Sequence, residues 1–263
     1  MKKEIVMWLI IAVLVVGLLL GTQKAETMGV KVTGATSWVN YGQLSTDLAA
    51  ATQKTIISWV NISSAATAIN KPFYVVDIEG AVLTTSFCFH KYTTENNIEF
   101  AKGYATTQGI WQTNEVLSLD TWYLLAVSYD ESNINNDPVF YINGVAQSID
   151  FEQAPIGSLQ SDTSDSIYSP LVGAATTPYG TVSGTRIFNR ILTADEVLQI
   201  YNGRGRDNIH NGEVFCPFDK GAAGLQSFDG ATLAAGNTIV DPCSGAVGVP
   251  AGSPVGVGET YLR

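Results

Sequence analysis

Positively charged residues are scarce in this chain. Only 14 Lys and Arg residues stand against 24 Asp and Glu residues, which gives a formal net charge of -10 at pH 7. The few basic residues are also scattered rather than clustered. Nucleic-acid binding requires a basic surface that neutralises phosphates. The composition therefore predicts that nucleic acid is not a partner.

Cysteine and histidine are scarcer still, and their spacing disfavours zinc and nucleophilic catalysis. The 3 cysteines include no C-x-x-C pair. Cys88 lies in an apolar run and is expected to be a buried thiol, whereas Cys216 and Cys243 are able to form a disulfide in an oxidising compartment. The 2 histidines, His90 and His210, are far apart and belong to no catalytic or metal-binding pattern.

One long hydrophobic run is present, at the amino terminus. Ile5–Gly21 contains no charged residue and follows Lys2 and Lys3. Its length lies between that of a signal-peptide core, about 7–15 residues, and that of a spanning helix, about 20. We interpret it as an uncleaved anchor with the rest of the chain outside the membrane. A cleaved signal peptide, or a helix that packs against copies of itself in an assembly, are the alternatives.

The composition of the remainder of the chain is typical of strands and turns. The chain contains 25 glycines, and 46% of all residues are hydrophobic, enough for a sizeable core. Trp122–Tyr129 is apolar on both faces, which predicts a central strand. Val139–Asn143 is expected to pair with it as a hairpin, and Phe151–Pro170 is predicted to be a long loop. Further strands are predicted at 55–62, 71–78 and 82–92.

A capping box marks the one helix predicted after the anchor. Thr193 is expected to cap the helix, and the side chain of Glu196 to reach back to the backbone of Thr193. Leu192 would pack on Val197 as a hydrophobic staple. The helix is predicted to run to about Tyr201 and to end at the Asn-Gly pair that follows.

Four segments and their order carry a resemblance to a known family. They are the strand Trp122–Asp130 with its W-x-x-x-A-V-x-x-D spacing, FYING at 140–144, RIFNR at 186–190 and LTADEVLQIY at 192–201. They resemble laminin-G-like modules of the concanavalin A-like lectin/glucanase superfamily over about residues 29–205. The resemblance implies an all-β fold, a two-sheet antiparallel jelly-roll sandwich with one short helix on its C-terminal side. In this chain an N-terminal hydrophobic (transmembrane) helix would precede it.

The resemblance also divides the chain. Residues 1–28 are the anchor and a polar linker, 29–210 the jelly roll, and 211–263 a tail. The tail contains NGEVFCPFD and DPCSGAVG, which look like segments that begin such a module. It either completes the sandwich, since terminal strands are neighbours in that fold, or forms a small appendage.

Glucanases of this superfamily use a strand motif E-x-D-x-E whose outer carboxylates act as nucleophile and acid. The nearest match has Asp77 and Glu79, but Val75 stands where the first Glu is required. Strand-end hydrogen bonding explains the two carboxylates equally well. We therefore predict no catalytic residue and no enzyme, with a divergent glycoside hydrolase as an alternative.

The resemblance implies calcium, bound by loop oxygens at one rim of the sandwich. Calcium takes about 6–8 oxygen ligands. Turn formation by Asn and Asp would explain the same residues without a metal. The candidate ligands are Asp130, Asn133, Asn135 and Asp137 in the hairpin loop, with Asn136 beside them and Asp162 and Asp165 in the Ser-rich loop.

A glycan site needs an aromatic platform for the sugar ring and planar polar groups for its hydroxyls. Each aromatic candidate is also explained by packing in the core or at the rim. The candidates lie in or near loop-like sequence and are Trp111, Tyr104, Tyr168 and Tyr179, with Asn136 as a polar contact.

These features predict a non-catalytic adhesion protein of a cell or virion surface. Its partners would be a membrane, through residues 5–21, and a glycan or protein ligand. The alternative is a multi-copy structural subunit of a virion or surface filament, a homo-oligomer that binds no glycan.

Overall fold

A computed structural model describes residues 25–32, 37–64, 73–79, 83–92, 95–115, 117–162, 165–172, 180–203, 209, 211–215, 239–240, 247–251 and 254–261. The predicted anchor lies outside the described residues, as do Tyr179, His210, Cys216 and Cys243. The side chains of Cys88, His90 and Glu79 are likewise not described. Within these ranges, no helix has the length and apolar character to cross a membrane.

Strands dominate the described part of the chain, and two short helices interrupt them. The helices are α1 (Thr46–Ala49) and α2 (Ala194–Tyr201). The strands are β1 (Ala25–Val32), β2 (Ser37–Gln43), β3 (Gln53–Ile62), β4 (Phe73–Glu79), β5 (Leu83–Tyr92), β6 (Glu95–Lys102), β7 (Gly109–Thr113), β8 (Trp122–Asp130), β9 (Val139–Ile142), β10 (Val145–Gln147), β11 (Ile149–Gln153), β12 (Ser166–Val172), β13 (Gly180–Phe188), β14 (Glu213–Phe215), β15 (Ile239–Val240), β16 (Val247–Ala251) and β17 (Pro254–Tyr261).

The strands form two antiparallel sheets. Sheet I has the order β10-β9-β8-β3-β13-β1-β17, with β14 paired to β13. Sheet II has the order β11-β7-β6-β5-β4-β12-β2-β16-β15. The predicted all-β, two-sheet antiparallel sandwich is confirmed.

The main core lies between the sheets and follows the alternation of each strand. In β7, Trp111 and Thr113 are buried while Ile110 and Gln112 are half-exposed. The inward positions are mostly β-branched or aromatic residues, which suit a pleated surface covered on one side. Members of this core include Val39, Ile56, Ile78, Ile98, Phe100, Trp111, Val127, Phe140 and Ile167.

The predicted hairpin of β8 and β9 is confirmed, and β8 is an interior strand between β3 and β9. Leu125 faces the main core, while its neighbour Leu124 belongs to a second apolar cluster on the outer side of sheet I. The turn has Asn143 at φ 52° and Gly144 at φ 82°. Two successive positive φ values are the requirement of a type I′ hairpin turn, which favours Asn-Gly.

Helix α2 covers the outer face of sheet I. The predicted capping box is present, with Thr193 and Glu196 bonded reciprocally, and the helix ends at Tyr201 as predicted. Its buried residues and Leu192 pack against outward side chains of sheet I. This second cluster contains Ile57, Trp59, Leu124, Ala126, Tyr141, Phe188, Leu192, Val197, Ile200 and Ile209.

A pH-dependent ion pair fixes the start of α2. Arg190 donates to both carboxylate oxygens of Glu196, at 2.9 and 2.7 Å, and lowers the pKa of Glu196 to about 2. The pair therefore stabilises the fold above the ordinary carboxyl pKa of 4.5, and this contribution is lost as pH falls towards 2.

Because that pair is still partly exposed to water, we expect Glu196→Gln to cost only about 0.5 kcal/mol at neutral pH. Urea unfolding of both proteins across an acid pH series measures the difference. It should shrink between pH 4.5 and 2, the two pKa values of Glu196. A difference that persists unchanged at the acid end would contradict the assignment.

Long-range pairing extends the strands beyond what local patterns indicate. Strand β1 begins at Ala25, inside the predicted linker, because β17 pairs along its whole length. Strands β11 and β12 take up both ends of the predicted loop Phe151–Pro170. The tail contributes β14 and β17 to sheet I and β15 and β16 to sheet II.

Candidate functional site

The loop between β8 and β9 is folded by its own hydrogen bonds. The carboxylate of Asp130 accepts from the backbone N–H of Ser132 at 3.0 Å and from Gln53 at 2.8 Å. The side-chain oxygen of Asn133 accepts from the N–H of Asn135 at 3.0 Å, and Asn136 donates to the carbonyl of Asp130 at 2.8 Å. Hydrogen bonds from Ser132, and then from Gln53, hold the pKa of Asp130 below its ordinary value. These are the turn-forming roles that Asn and Asp commonly have.

Trp111 is a core residue that reaches this loop from beneath. It is 0% exposed, its indole N–H donates to Asp137 at 3.0 Å, and its ring lies 5.3 Å from that of Tyr129. A Cβ on Gly109 would lie 2.2 Å from the indole, so only glycine fits there. Both faces of the indole are therefore covered, and Trp111 offers no platform to a sugar in this structure.

Tyr104 is buried in the same place. Its hydroxyl lies 2.8 Å from the hydroxyl of Tyr129. Burial, followed by this hydrogen bond, raises the pKa of Tyr129 above its ordinary value, so the phenol of Tyr129 stays protonated. Of the sequence-predicted residues, the structure thus brings Trp111 and Tyr104 together around Tyr129, and the exposed Asp137 accepts the indole hydrogen bond from above.

Beside these aromatic rings lies a ring of four buried charges, which we call the charge ring: Lys54, Glu131, Lys102 and Asp162. Lys102 is 1% exposed and its ammonium lies 2.6 Å from Asp162 and 3.0 Å from Glu131. Lys54 forms an ion pair with Glu131 and lies 3.5 Å from Asp162. Each ammonium thus faces both carboxylates.

The charge ring joins the two sheets at the rim. Lys54 is in β3 and Glu131 follows β8, both in sheet I, whereas Lys102 ends β6 of sheet II and Asp162 precedes β12. A cavity beside the ring has room for a single water-sized sphere, ≈ 10 Å³. It is far too small for a sugar.

The rim does not fit the calcium site that the resemblance implies. Two of its buried carboxylates, those of Glu131 and Asp162, already face ammonium groups, and a third buried aspartate, Asp165, lies three residues after Asp162. Asp130 and Asp137 accept hydrogen bonds from protein donors. Among the described residues, no three His, Cys, Asp or Glu side chains are placed to hold a metal.

The outer face of sheet II has a different character. Asn40, Glu99, Gln112 and Tyr168 are half-exposed, and each follows an inward core residue in its strand. Gln112 donates to Glu99 at 2.6 Å, and Asn97 donates to Gln112 at 3.3 Å. Planar amides and a carboxylate therefore line one end of this face.

Tyr168 lies on the same face in β12, towards its other end. It is paired with Asn40 of β2 on one side and with Asp77 of β4 on the other. Strands are about 4.8 Å apart, so the three strand spacings from β12 to β6 place Glu99 about 15 Å across the sheet from Tyr168.

The incomplete glucanase motif lies in this sheet as well. Asp77 lies in the middle of β4 and is only 2% exposed, so its carboxylate is not accessible to a substrate. Val75, in the position of the missing Glu, belongs to the main core.

Sequence reasoning missed the charge ring, although alternation contained the signal. Ile98 and Phe100 face the core in β6, so the next inward position is Lys102. In β3, Lys54 precedes the inward Ile56 in the same way. A lysine that continues an inward row requires a buried carboxylate partner.

A laminin-G-type sequence model of the concanavalin A-like lectin/glucanases superfamily matches residues 33–198. The chain belongs to this superfamily. The predicted family is thereby confirmed, and with it the lectin-like character of the domain. A comparison with curated protein sequences gives no match.

Solved structures share the fold at low sequence identity. One is a protein from Bacteroides ovatus ATCC 8483 assigned to carbohydrate binding, with a TM-score of 0.59 and 16% identity over 90% of this chain. Our chain spans 62% of that protein. Another is a heptameric SAP-like pentraxin from Limulus polyphemus, with a TM-score of 0.50, 12% identity, and coverage of 74% of this chain and 93% of that one. At such identities the likeness shows the fold alone.

Proposed function

We propose that this chain is a non-catalytic, lectin-like module that binds a glycan on the outer face of sheet II. One observation carries the proposal. Half-exposed amides, a carboxylate and a tyrosine share that face, whereas helix α2 covers the outer face of sheet I.

The chemistry of the face suits sugars. The ring of Tyr168 offers an apolar surface to the C–H face of a pyranose. At the other end, Glu99 and Gln112 offer planar acceptors and donors to hydroxyl groups. The hydrogen bond between them fixes their geometry before a ligand arrives.

The preferred glycan should be neutral. The half-exposed Glu99 adds negative charge to this face of sheet II, and the whole chain has a net charge of -10. Sulfated or uronic-acid glycans would be repelled, because like charges oppose encounter and binding.

A binding role rather than hydrolysis is supported by the motif in β4. Val75 cannot act as a nucleophile, and the carboxylate of Asp77 is buried. Retaining hydrolysis needs two accessible carboxyl groups about 5–5.5 Å apart.

Attachment to a cell or virion surface is the second part of the proposal. It is supported by the sequence, in which Ile5–Gly21 is uncharged and follows two lysines. Such an anchor would hold the sandwich outside the membrane and present sheet II to glycans or to protein partners.

Binding to a neutral-glycan array is the test, with the full chain in detergent. We expect Tyr168→Ala and Gln112→Ala to lower affinity for the retained glycan by about 10-fold each, since each removes interactions of about 1.4 kcal/mol. Titration calorimetry with that glycan measures the change.

Tyr201→Ala is the matched control, because Tyr201 is a half-exposed aromatic residue of α2, on the opposite side of the molecule. It should bind glycan as the wild type does. Equal loss in the control and in Tyr168→Ala, or no retention of any neutral glycan, would refute binding at sheet II.

A further inference from the structure

The charge ring holds loops together in a way that is usual for a bound cation. Glu131 is the first residue of the loop after β8, and its backbone N–H donates to the carbonyl of Thr52 at 2.8 Å. Asp162 lies three residues after Leu159, which forms an isolated β-bridge with Tyr104. A divalent ion is bound by oxygen ligands from several loops. Here the ammonium groups of Lys54 and Lys102 bind the carboxylate oxygens instead.

We propose that the ammonium groups of Lys54 and Lys102 take the place of a cation at this rim. The described part of this rim then needs no calcium to hold its loops, in contrast to what the family resemblance implies. The proposal does not depend on glycan binding.

The donors and charges are matched within the ring. Two ammonium groups face two carboxylates, so the formal charge is zero. Lys102 donates to both oxygens of Asp162, at 2.6 and 2.8 Å, and Lys54 also donates to the carbonyl of Ala51 at 2.6 Å. A buried charge network is favourable only when its members are satisfied in this way.

A calcium ion would meet repulsion at the same place. Any position close to Glu131 and Asp162 is also close to both ammonium groups, which lie within 3.5 Å of these carboxylates. Buried like charges repel strongly because the surrounding dielectric is low.

The first measurement is the melting temperature of the full chain in millimolar calcium chloride and in EDTA. We expect the two values to agree. A ligand that binds only the folded state raises the melting temperature with its concentration. A higher melting temperature in calcium than in EDTA would overturn the proposal.

The second measurement uses Lys102→Met, which keeps the length of the side chain and removes its charge. We expect its melting temperature in EDTA to fall by about 10 °C, since it leaves one carboxylate without a counter-charge. Calcium should restore part of this loss, because the freed carboxylates regain a cation.

Arg190→Met is the matched control, since it breaks a partly exposed ion pair, with Glu196, that is not part of the charge ring. Its melting temperature should change little and should not respond to calcium. If Lys102→Met folds and its melting temperature is the same in calcium and in EDTA, the proposal that the ammonium groups take the place of a metal ion is wrong. If Lys102→Met does not fold at all, the same comparison is made with Lys54→Met, and the wild-type result in EDTA still decides calcium independence.

Discussion

Replacing Trp111 by alanine is expected to lower the free energy of unfolding by about 3–5 kcal/mol. The indole is 0% exposed and packs against Phe100 and Tyr129 between the two sheets. Its removal leaves a large cavity and takes away the donor that Asp137 accepts from. Urea unfolding followed by circular dichroism measures the loss.

Trp111→Phe is the control for this change, because it keeps an aromatic ring and loses the indole N–H. We expect a smaller loss of stability than in Trp111→Ala. Glycan binding by the folded fraction should be unchanged in both variants. Loss of glycan binding without loss of stability would show that Trp111 contacts ligand, as its position near loop-like sequence had suggested.

Asp162→Asn alone is expected to lower the free energy of unfolding by a comparable amount, about 3–5 kcal/mol. The substitution keeps the shape of the side chain but leaves Lys54 and Lys102 facing one carboxylate, that of Glu131. The extra positive charge is buried, and burial without a partner is the costly state. Chemical denaturation at neutral pH measures it.

The double variant Lys102→Met/Asp162→Asn distinguishes charge balance from shape. It restores neutrality, because Lys54 and Glu131 remain as a pair. We expect the double variant to be more stable than Asp162→Asn alone. Additive losses from the two substitutions would contradict a coupled charge ring, since coupled sites deviate from additivity by about 0.5–3 kcal/mol.

The fold was predictable where the signal is local. In the capping box the two partners, Thr193 and Glu196, are only three residues apart in the sequence. In the hairpin turn, Asn143 and Gly144 are themselves the residues that adopt the positive φ values. The double-sided apolar pattern of β8 predicted an interior strand, and α2 supplies the second apolar layer.

The remaining elements depend on partners that are distant in the sequence. Strand β1 is defined by β17, more than 200 residues away, which no local pattern reveals. Strand β11 is mostly exposed, so its five residues have the composition of a loop and form a strand only beside β7.

The candidate site was predicted least well, for a physical reason. Polar and aromatic residues near loops serve equally as ligands, turns and core, and composition does not separate these roles. Trp111 and Tyr104 are core residues here, and the hairpin-loop Asn and Asp residues form turns. Only strand register reveals that Tyr168 and Gln112 share an outer face.

A crystal structure of the chain soaked with the neutral glycan that it retains tests the central claim most directly. We expect an intact glycan on the outer face of sheet II, with a sugar ring against Tyr168 and hydroxyl groups on Glu99 and Gln112. A glycan bound instead at the loop Asp130–Asp137, or a cleaved product at Asp77, would contradict it.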